Sequence, residues 1–233
     1  KVDDQWQAWD GETLLASAPL VVLAGAAEIK RFVQSAELPL KRIRGQITRL
    51  PATEASQALG TVVCADGYVA PPRLGEHTLG ASFDFHSTDL APTAAEHHSN
   101  LGLLRDISAD LAERLGADAL DPATLQGRAA FRCTSPDYLP MVGAVVDRDA
   151  FLDCYQPLAR DASLKLTAEA PLIRGLYVST AHGSRGMVTA PLAGEIIASL
   201  LNDEPAPLPS SIMDAVNPSR FLVRDLIRQK HRD

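Results

Sequence analysis

The run LVVLAG at residues 20–25 constrains this chain more than any other stretch. A segment that is apolar at successive positions, with no alternation, belongs to a strand covered on both faces, as in a parallel sheet flanked by helices. The preceding WQAWDGETLLASAP reads as a strand, an Asp10-Gly11 turn and a second strand, leading into a third over Pro19 to Leu23. These residues are too few to supply the neighbours that a doubly covered strand needs. The expectation is therefore that the chain is a fragment, or that another chain completes its sheet.

A second element of this kind, LIRGLYVST, leads into AHGSRGMVTAPLAGEIIASLL at 181–201. Leu192, Ile196, Ile197, Leu200 and Leu201 share one stripe of a 3.6-residue period, which predicts an amphipathic helix. Thr189 suits its cap and Pro191 its first turn, so the helix is expected to start near residue 190. The exposed first amides and the helix dipole favour an acceptor or an anion there, and Gly183 and Gly186 leave room for close approach. A glycine-bearing strand-to-helix turn that binds nothing is the alternative.

Between these ends the pattern is mixed. A short helix is expected around Ala27 to Ser35, with Ile29, Phe32 and Val33 on one side, and Pro39 marks its exit. Strands follow in RGQITRL, TVVCADGYVAPP and HTLGASFDF, broken by Gly and Pro. Residues 87–98, STDLAPTAAEHH, read as a polar loop, and SNLGLLRDISADLAERLG as a helix closed by Gly116. A strand through Gly127 to Arg132, a turn-rich SPDYLPMVGAV and a polar connection complete the middle. The fold class expected is α+β, with a mixed, largely antiparallel sheet in the middle and parallel-type strands at both ends.

Charge and composition narrow the function classes. No apolar run approaches the roughly 20 residues that span a bilayer, and the polar KVDDQWQAWDGE start does not read as a signal peptide, so a cytoplasmic protein without membrane attachment is expected. The formal charge of −7 argues against a protein dedicated to coating nucleic acid. Two basic clusters stand out, KRIRG at 41–45 and RFLVRDLIRQKHRD from Arg220, which includes Arg224, Arg228 and Lys230. Each is either a solvated face or a phosphate-contacting patch. Three widely spaced cysteines suggest neither disulfides nor zinc, His97-His98 in a polar loop lacks a third ligand, and His182 with Ser184 has no acid to complete a hydrolytic triad. No metal is expected.

The order of VVLAGA, RIRGQIT, DGYVAPP, LGASFD, GRAAFRCTSPDYLPMVG and the final strand, loop and helix resembles the C-terminal part of the D-amino-acid oxidase superfamily of FAD-dependent amine oxidases. The ending GSRGMVTAPLAGEIIASLLNDEPAPLP followed by NPSRFLVRDLIR resembles, more narrowly, the oxidoreductase domain of the bifunctional enzymes that build 5-methylaminomethyl-2-thiouridine in tRNA. That resemblance implies residues 1–26 as the tail of an FAD-binding domain, 27–173 as a substrate domain and 174–233 as the return to the FAD-binding domain. It implies oxidation of the carboxymethylaminomethyl group on the wobble uridine of tRNA, with release of glyoxylate.

It also assigns residues. Arg132 would clamp the substrate carboxylate, a task that suits a planar, permanently charged fork, unless it is a structural arginine paired with Asp137 or another carboxylate. Ala24, Gly25, Ala26, Gly45, Gln46, Gly183, Ser184, Arg185, Gly186 and Met187 would line the cofactor, with a buried strand-end amide as the alternative for Gln46. Tyr68 is a substrate-contact candidate whose alternative is packing. Cys133 reads as a small buried hydrophobe. Ala26 stands where the family's strand usually ends in Gly, and the GxGxxG that cradles the FAD pyrophosphate is nowhere in the chain. Upstream FAD-binding and methyltransferase regions of a longer parent are thus the implied partners, together with tRNA. A small-molecule glycine, sarcosine or D-amino-acid oxidase, and a non-catalytic interaction module, remain as alternatives.

Overall fold

A computed structural model describes residues 1–164, 166 and 168–229. In chain order the elements are β1 (Trp6–Asp10), β2 (Thr13–Ala18), β3 (Val21–Leu23), β4 (Lys41–Pro51), β5 (Val63–Cys64), β6 (Tyr68–Val69), β7 (Glu76–Gly80), α1 (Ala94–Ile107), α2 (Ala109–Arg114), β8 (Gln126–Thr134), β9 (Met141–Val146), α3 (Arg148–Tyr155), β10 (Leu172–Thr180), α4 (Gly186–Asn202), α5 (Ser210–Val216) and α6 (Arg220–Gln229). Packing divides them into two compact units, Lys1–Lys41 with Cys133–Asp233, and Arg42–Arg132. Residues 27–41 and 133–173 thus pack with the terminal segments, whereas the sequence reading grouped them with 42–132. The mixed α and β architecture with largely antiparallel pairing is the one expected.

The first unit is built on a three-stranded sheet of order β3-β10-β9. Strand β3 runs parallel to the central β10, with Val21 opposite Leu176 and Leu23 opposite Val178, and β9 is antiparallel to it. Alternation along β10 buries Leu176, Val178 and Thr180. One face of the sheet meets Ile29, Trp6 and Leu38, and the other meets Ala193, Ile196 and Ile197 of α4. The β1–β2 hairpin turns at Gly11, whose φ of +57° is the left-handed conformation an Asp-Gly turn supplies. Strand β3 is the outermost of its sheet, with Leu20 and Val22 exposed, so the residues before it do not supply its second neighbour, as the sequence reading expected. The short helix expected at 27–35 is two 3-10 turns, Ala26–Arg31 and Val33–Ser35, because Phe32 takes an extended ψ of 131° between them. Only Ile29 of its three apolar residues is buried; Phe32 and Val33 face solvent.

The second unit is a five-stranded sheet of order β5-β6-β7-β4-β8, covered by α1 and α2. Its core is Leu50, Val69, Leu79, Leu101, Leu104, Leu111 and Leu115. The helix expected from Ser99 begins five residues earlier, at Ala94, because Thr93 caps it: its hydroxyl accepts from the Glu96 amide at 3.3 Å and donates to the Glu96 carboxylate at 3.1 Å. Ser108 then breaks it in two, with φ −164° and its hydroxyl accepting from the Leu111 amide. Gly116, at φ +62°, terminates the pair as expected. Two further corrections lie in the first unit. Met141–Val146 of the turn-rich stretch is a strand, and the polar connection contains α3, capped by the Asp147 carboxylate on the Ala150 amide.

Candidate functional site

Arg132 lies near the end of β8, and its guanidinium sits on the Cα of Gly45 in the neighbouring β4: a Cβ at Gly45 would overlap Nη1 and stand 2.6 Å from Cζ and 2.7 Å from Nη2. Position 45 therefore has to be a glycine for the guanidinium to occupy this place. Nη1 donates to the Ser82 carbonyl at 3.1 Å, and the guanidinium lies 4.1 Å from the Phe83 ring centroid. A guanidinium has five N–H donors, and among the described residues only one of them has an acceptor. Burial pulls the Arg132 pKa below the ordinary arginine value, opposed by Tyr68, and the group remains a cation at physiological pH. The partner that would have made it structural is occupied elsewhere. Asp137 accepts twice from Arg220, at 2.9 Å each, and that pairing holds its carboxyl far below the usual carboxylate range. A half-buried cation stacked on one face, with donors that have no acceptor among the described residues, has the chemistry to bind a carboxylate.

Tyr68, on β6, packs its ring and hydroxyl against Gly80, and the hydroxyl makes no hydrogen bond among the described residues. Gln46 follows Gly45 but turns inward and is fully buried. Its amide donates to the Thr93 carbonyl at 3.0 Å and accepts from the Thr93 N–H at 2.8 Å, clamping the start of α1. That corrects its side chain as a cofactor contact: both of its polar atoms are occupied by backbone. Sequence reasoning missed Glu96, which accepts from Arg44, Ser82 and Thr93 and thereby ties β4, the segment after β7 and α1 together. The T-x-x-E spacing was the signal that could have found it. Neighbouring His97 is likewise on α1 and buried, bonded through Nδ1 to the Thr48 hydroxyl at 2.8 Å, rather than solvated in a loop.

At the other candidate region, in the first unit, α4 begins at Gly186, four residues before the expected start. Thr189 does not cap it; its hydroxyl donates to the Arg185 carbonyl at 3.1 Å, inside the first turn. That leaves it accepting from His182 Nδ1 at 2.8 Å, so His182 Nε2 is the acceptor for Ser179 at 3.2 Å. These bonds brace the first turn and carry the helix across Pro191, which sits in its interior. No side chain caps the helix. The loop's amides are not equivalent: Gly183, at φ +58°, donates to the Cys133 carbonyl at 2.7 Å, and Arg185 to the His182 carbonyl at 3.1 Å. The amides of Ser184, Gly186 and Met187 have no acceptor among the described residues, and Met187 is 94% exposed. Thr134, Tyr138 and residues 182–185 line a small cavity of about 130 Å³ beside them.

Ala24, Gly25 and Ala26 follow β3 and are exposed. Ala26 has φ +53°, the left-handed region in which glycine is strain-free, and its carbonyl accepts from the Thr180 hydroxyl at 3.2 Å. One arginine of each basic cluster is held by a carboxylate. Arg44 is buried and paired with Glu96, and Arg220 is paired with Asp137. Arg220 and Arg224 each lie 4.4 Å from the Phe221 ring. Lys230 lies outside the described residues.

The model of the family described as FAD dependent oxidoreductase (DAO) matches residues 1–200. The tRNA 5-methylaminomethyl-2-thiouridine biosynthesis bifunctional protein of Pseudomonas entomophila is 67% identical over 230 residues, 99% of this chain and 35% of that protein. Its namesake in Pseudomonas putida is 64% identical over the same shares. The chain thus spans about a third of the length of the curated relatives it matches. Among solved structures, glycine oxidase from Geobacillus kaustophilus is similar at a TM-score of 0.62 and 19% identity, over 88% of this chain and 46% of that one. Iminodiacetate oxidase from Chelativorans sp. is similar at 0.58 and 21%, over 84% and 46%.

Proposed function

Because this chain belongs to the FAD-dependent oxidoreductase family, we propose that it is the oxidoreductase portion of a tRNA-modifying enzyme. Its reaction removes the carboxymethyl group from 5-carboxymethylaminomethyl(-2-thio)uridine at the wobble position of tRNA, leaving the aminomethyl nucleoside and releasing glyoxylate. The relatives that carry the tRNA-modification name, at 64–67% identity across nearly the whole chain, support the substrate class. Residues 1–26 and 174–233 belong on this reading to the cofactor side and 27–173 to the substrate side. The pyrophosphate cradle and the methyltransferase region lie in the remainder of the parent chain, which works on tRNA in the cytoplasm.

The observation that carries the reading is the unpaired donor edge of Arg132. The group to be oxidised is an N-substituted glycine, so its carboxylate is the natural handle, and a guanidinium backed by Phe83 fixes the position of a carboxylate through two parallel bonds. Holding that carboxylate presents the adjacent carbon in one orientation, the entropic part of catalysis. The Tyr68 hydroxyl, free of protein partners, is a second polar contact for the substrate.

FAD, when bound, supplies the two-electron acceptor. The residues present fit it: the amides of Ser184, Gly186 and Met187, which have no acceptor among the described residues and stand at the positive end of a 17-residue helix, would hold the flavin ring and favour negative charge on it. Gly183 and Gly186 leave the approach free of side chains, since a Cβ at either meets nothing closer than 3.6 Å. Ala24, Gly25 and Ala26, after β3, and Gly45 complete the set assigned to the cofactor.

The test is the full-length parent loaded with FAD and given tRNA bearing the carboxymethylaminomethyl group. Arg132→Ala should lower kcat/KM by about 10- to 150-fold, the worth of roughly 1.5–3 kcal/mol for bonds to a charged group, while flavin absorbance is retained. A parent that leaves this tRNA unchanged, yet releases hydrogen peroxide from free glycine or sarcosine, would replace this reading by that of a small-molecule oxidase.

A further inference from the structure

Resting on Arg132 as the carboxylate clamp, we propose that Ser82 and Glu96 are positioning residues that hold its guanidinium in place from behind. Ser82 and Phe83 provide two contacts to the Arg132 fork, the Ser82 carbonyl and the Phe83 ring. An arginine side chain has four rotatable bonds and loses its directional value unless that surface is itself immobile.

The segment Ser82–Asp84 is tied to β4 at both ends. Ser82 donates its N–H to the Gln46 carbonyl at 3.2 Å, and its hydroxyl accepts from the Gln46 N–H at 2.9 Å. Two residues on, Asp84 and Arg44 exchange backbone bonds of 2.8 and 2.9 Å. With the Ser82 hydroxyl accepting from Gln46, its single proton goes to Glu96 Oε1 at 2.6 Å. Glu96 is in turn anchored by the buried Arg44 guanidinium and by the Thr93 hydroxyl, and Arg44 also donates to the carbonyls of Asp89 and Ala91. Burial opposes ionisation of Glu96, and the bonds from Arg44, Ser82 and Thr93 outweigh it, leaving its carboxyl below the usual range. Glu96 therefore stays a charged acceptor that cancels Arg44, and among the described residues no carboxylate pairs with Arg132. A carboxylate anchored at the start of α1 thus sets, through one hydroxyl, where the Ser82 carbonyl and the Phe83 ring stand.

The experiment uses the FAD-loaded full-length parent and measures KM and kcat separately for the modified tRNA. Ser82→Ala should raise KM by about tenfold with kcat within twofold, and Ser82→Thr, which keeps the hydroxyl, should restore it. In an Arg132→Ala background, Ser82→Ala should raise KM no further, because its effect passes through the guanidinium. A KM rise that persists in that background, or an unchanged KM with Arg132 intact, overturns the proposal. Arg132→Ala leaving KM unchanged would instead refute the clamp itself. Should Ser82→Ala fail to accumulate, Glu96→Gln, of the same shape, is read by the same cycle with the same two overturning results.

Discussion

The contact between Gly45 and Arg132 makes Gly45→Ala the sharpest perturbation of this site. Gly45 is buried on β4 and its φ is not in the left-handed region, so alanine fits the backbone there. What it meets is the far end of a side chain: Cζ and Nη2 of Arg132 at 2.6 and 2.7 Å from the new methyl. Ordinary contact needs about 3.5 Å, and the overlap with Nη1 is deeper still, so the fork must retreat by about 1.5 Å. The retreat breaks the bond to the Ser82 carbonyl, about 1 kcal/mol, and weakens the stacking on Phe83, about 0.5–1 kcal/mol at a partly exposed site. The unfolded chain loses freedom on gaining a methyl, which returns about 0.4–1 kcal/mol. The net cost to stability is about 1 kcal/mol, a few degrees in the unfolding midpoint. Function suffers more. A clamp displaced by more than about 1 Å should lower kcat/KM for carboxymethylaminomethyl-tRNA by at least about a hundredfold. The assay pairs thermal unfolding of the full-length, FAD-loaded parent with steady-state kinetics on that tRNA. Kinetics unchanged by Gly45→Ala would refute the claim that the guanidinium needs this place. A fall of more than about 3 kcal/mol in stability would refute the claim that the methyl meets only a movable side chain.

Two further outcomes follow from backbone and imidazole. Ala26→Gly should raise stability by about 0.5 kcal/mol in thermal unfolding, because relief of a left-handed alanine, about 1–2 kcal/mol, exceeds the entropy that glycine adds to the unfolded chain; a loss would show that φ +53° carries no strain. Burial lowers the pKa of His182 below its ordinary 6.5, so its neutral form contributes stability that is present above about pH 6.5 and is lost as the pH falls through the folded value. Protonation would place a proton on Nε2, the atom that accepts from Ser179, and loosen the start of α4. An imidazole NMR titration that places His182 above 6.5 would contradict this.

What was legible in the sequence was what periodicity and punctuation encode. The strand LIRGLYVST, the Asp10-Gly11 hairpin and the Gly116 stop are local, and each lies where the residues imply; of the five-residue stripe on α4 only Ile196 and Ile197 are buried, while Leu192, Leu200 and Leu201 stay exposed. The errors at helix starts came from weighing polarity over capping: Thr93-x-x-Glu96 and Asp147 initiate helices in stretches that read as loops because few apolar residues follow the cap immediately. The α4 start was misjudged because Pro191 suits a first turn, while the bonds that hold an earlier turn run through His182 and Thr189. The site's pairings were not legible at all. Asp137 finds Arg220 across 83 positions, and Gly45 receives a guanidinium from a residue 87 positions away, distances over which no pattern in one sequence carries a signal. The nomination of Arg132 rested on family resemblance, and only its surroundings separate a clamp from a structural ion pair.

Strand β3 has a practical consequence for anyone who makes this polypeptide. An outermost strand flanked by Leu20 and Val22 offers hydrogen bonds and grease to whichever extended segment meets it first, with no charge or proline between Leu20 and Ala24 to discourage the match. Preparations of residues 1–233 alone should clump as concentration rises, and turbidity there would report on that margin rather than on misfolding of the interior.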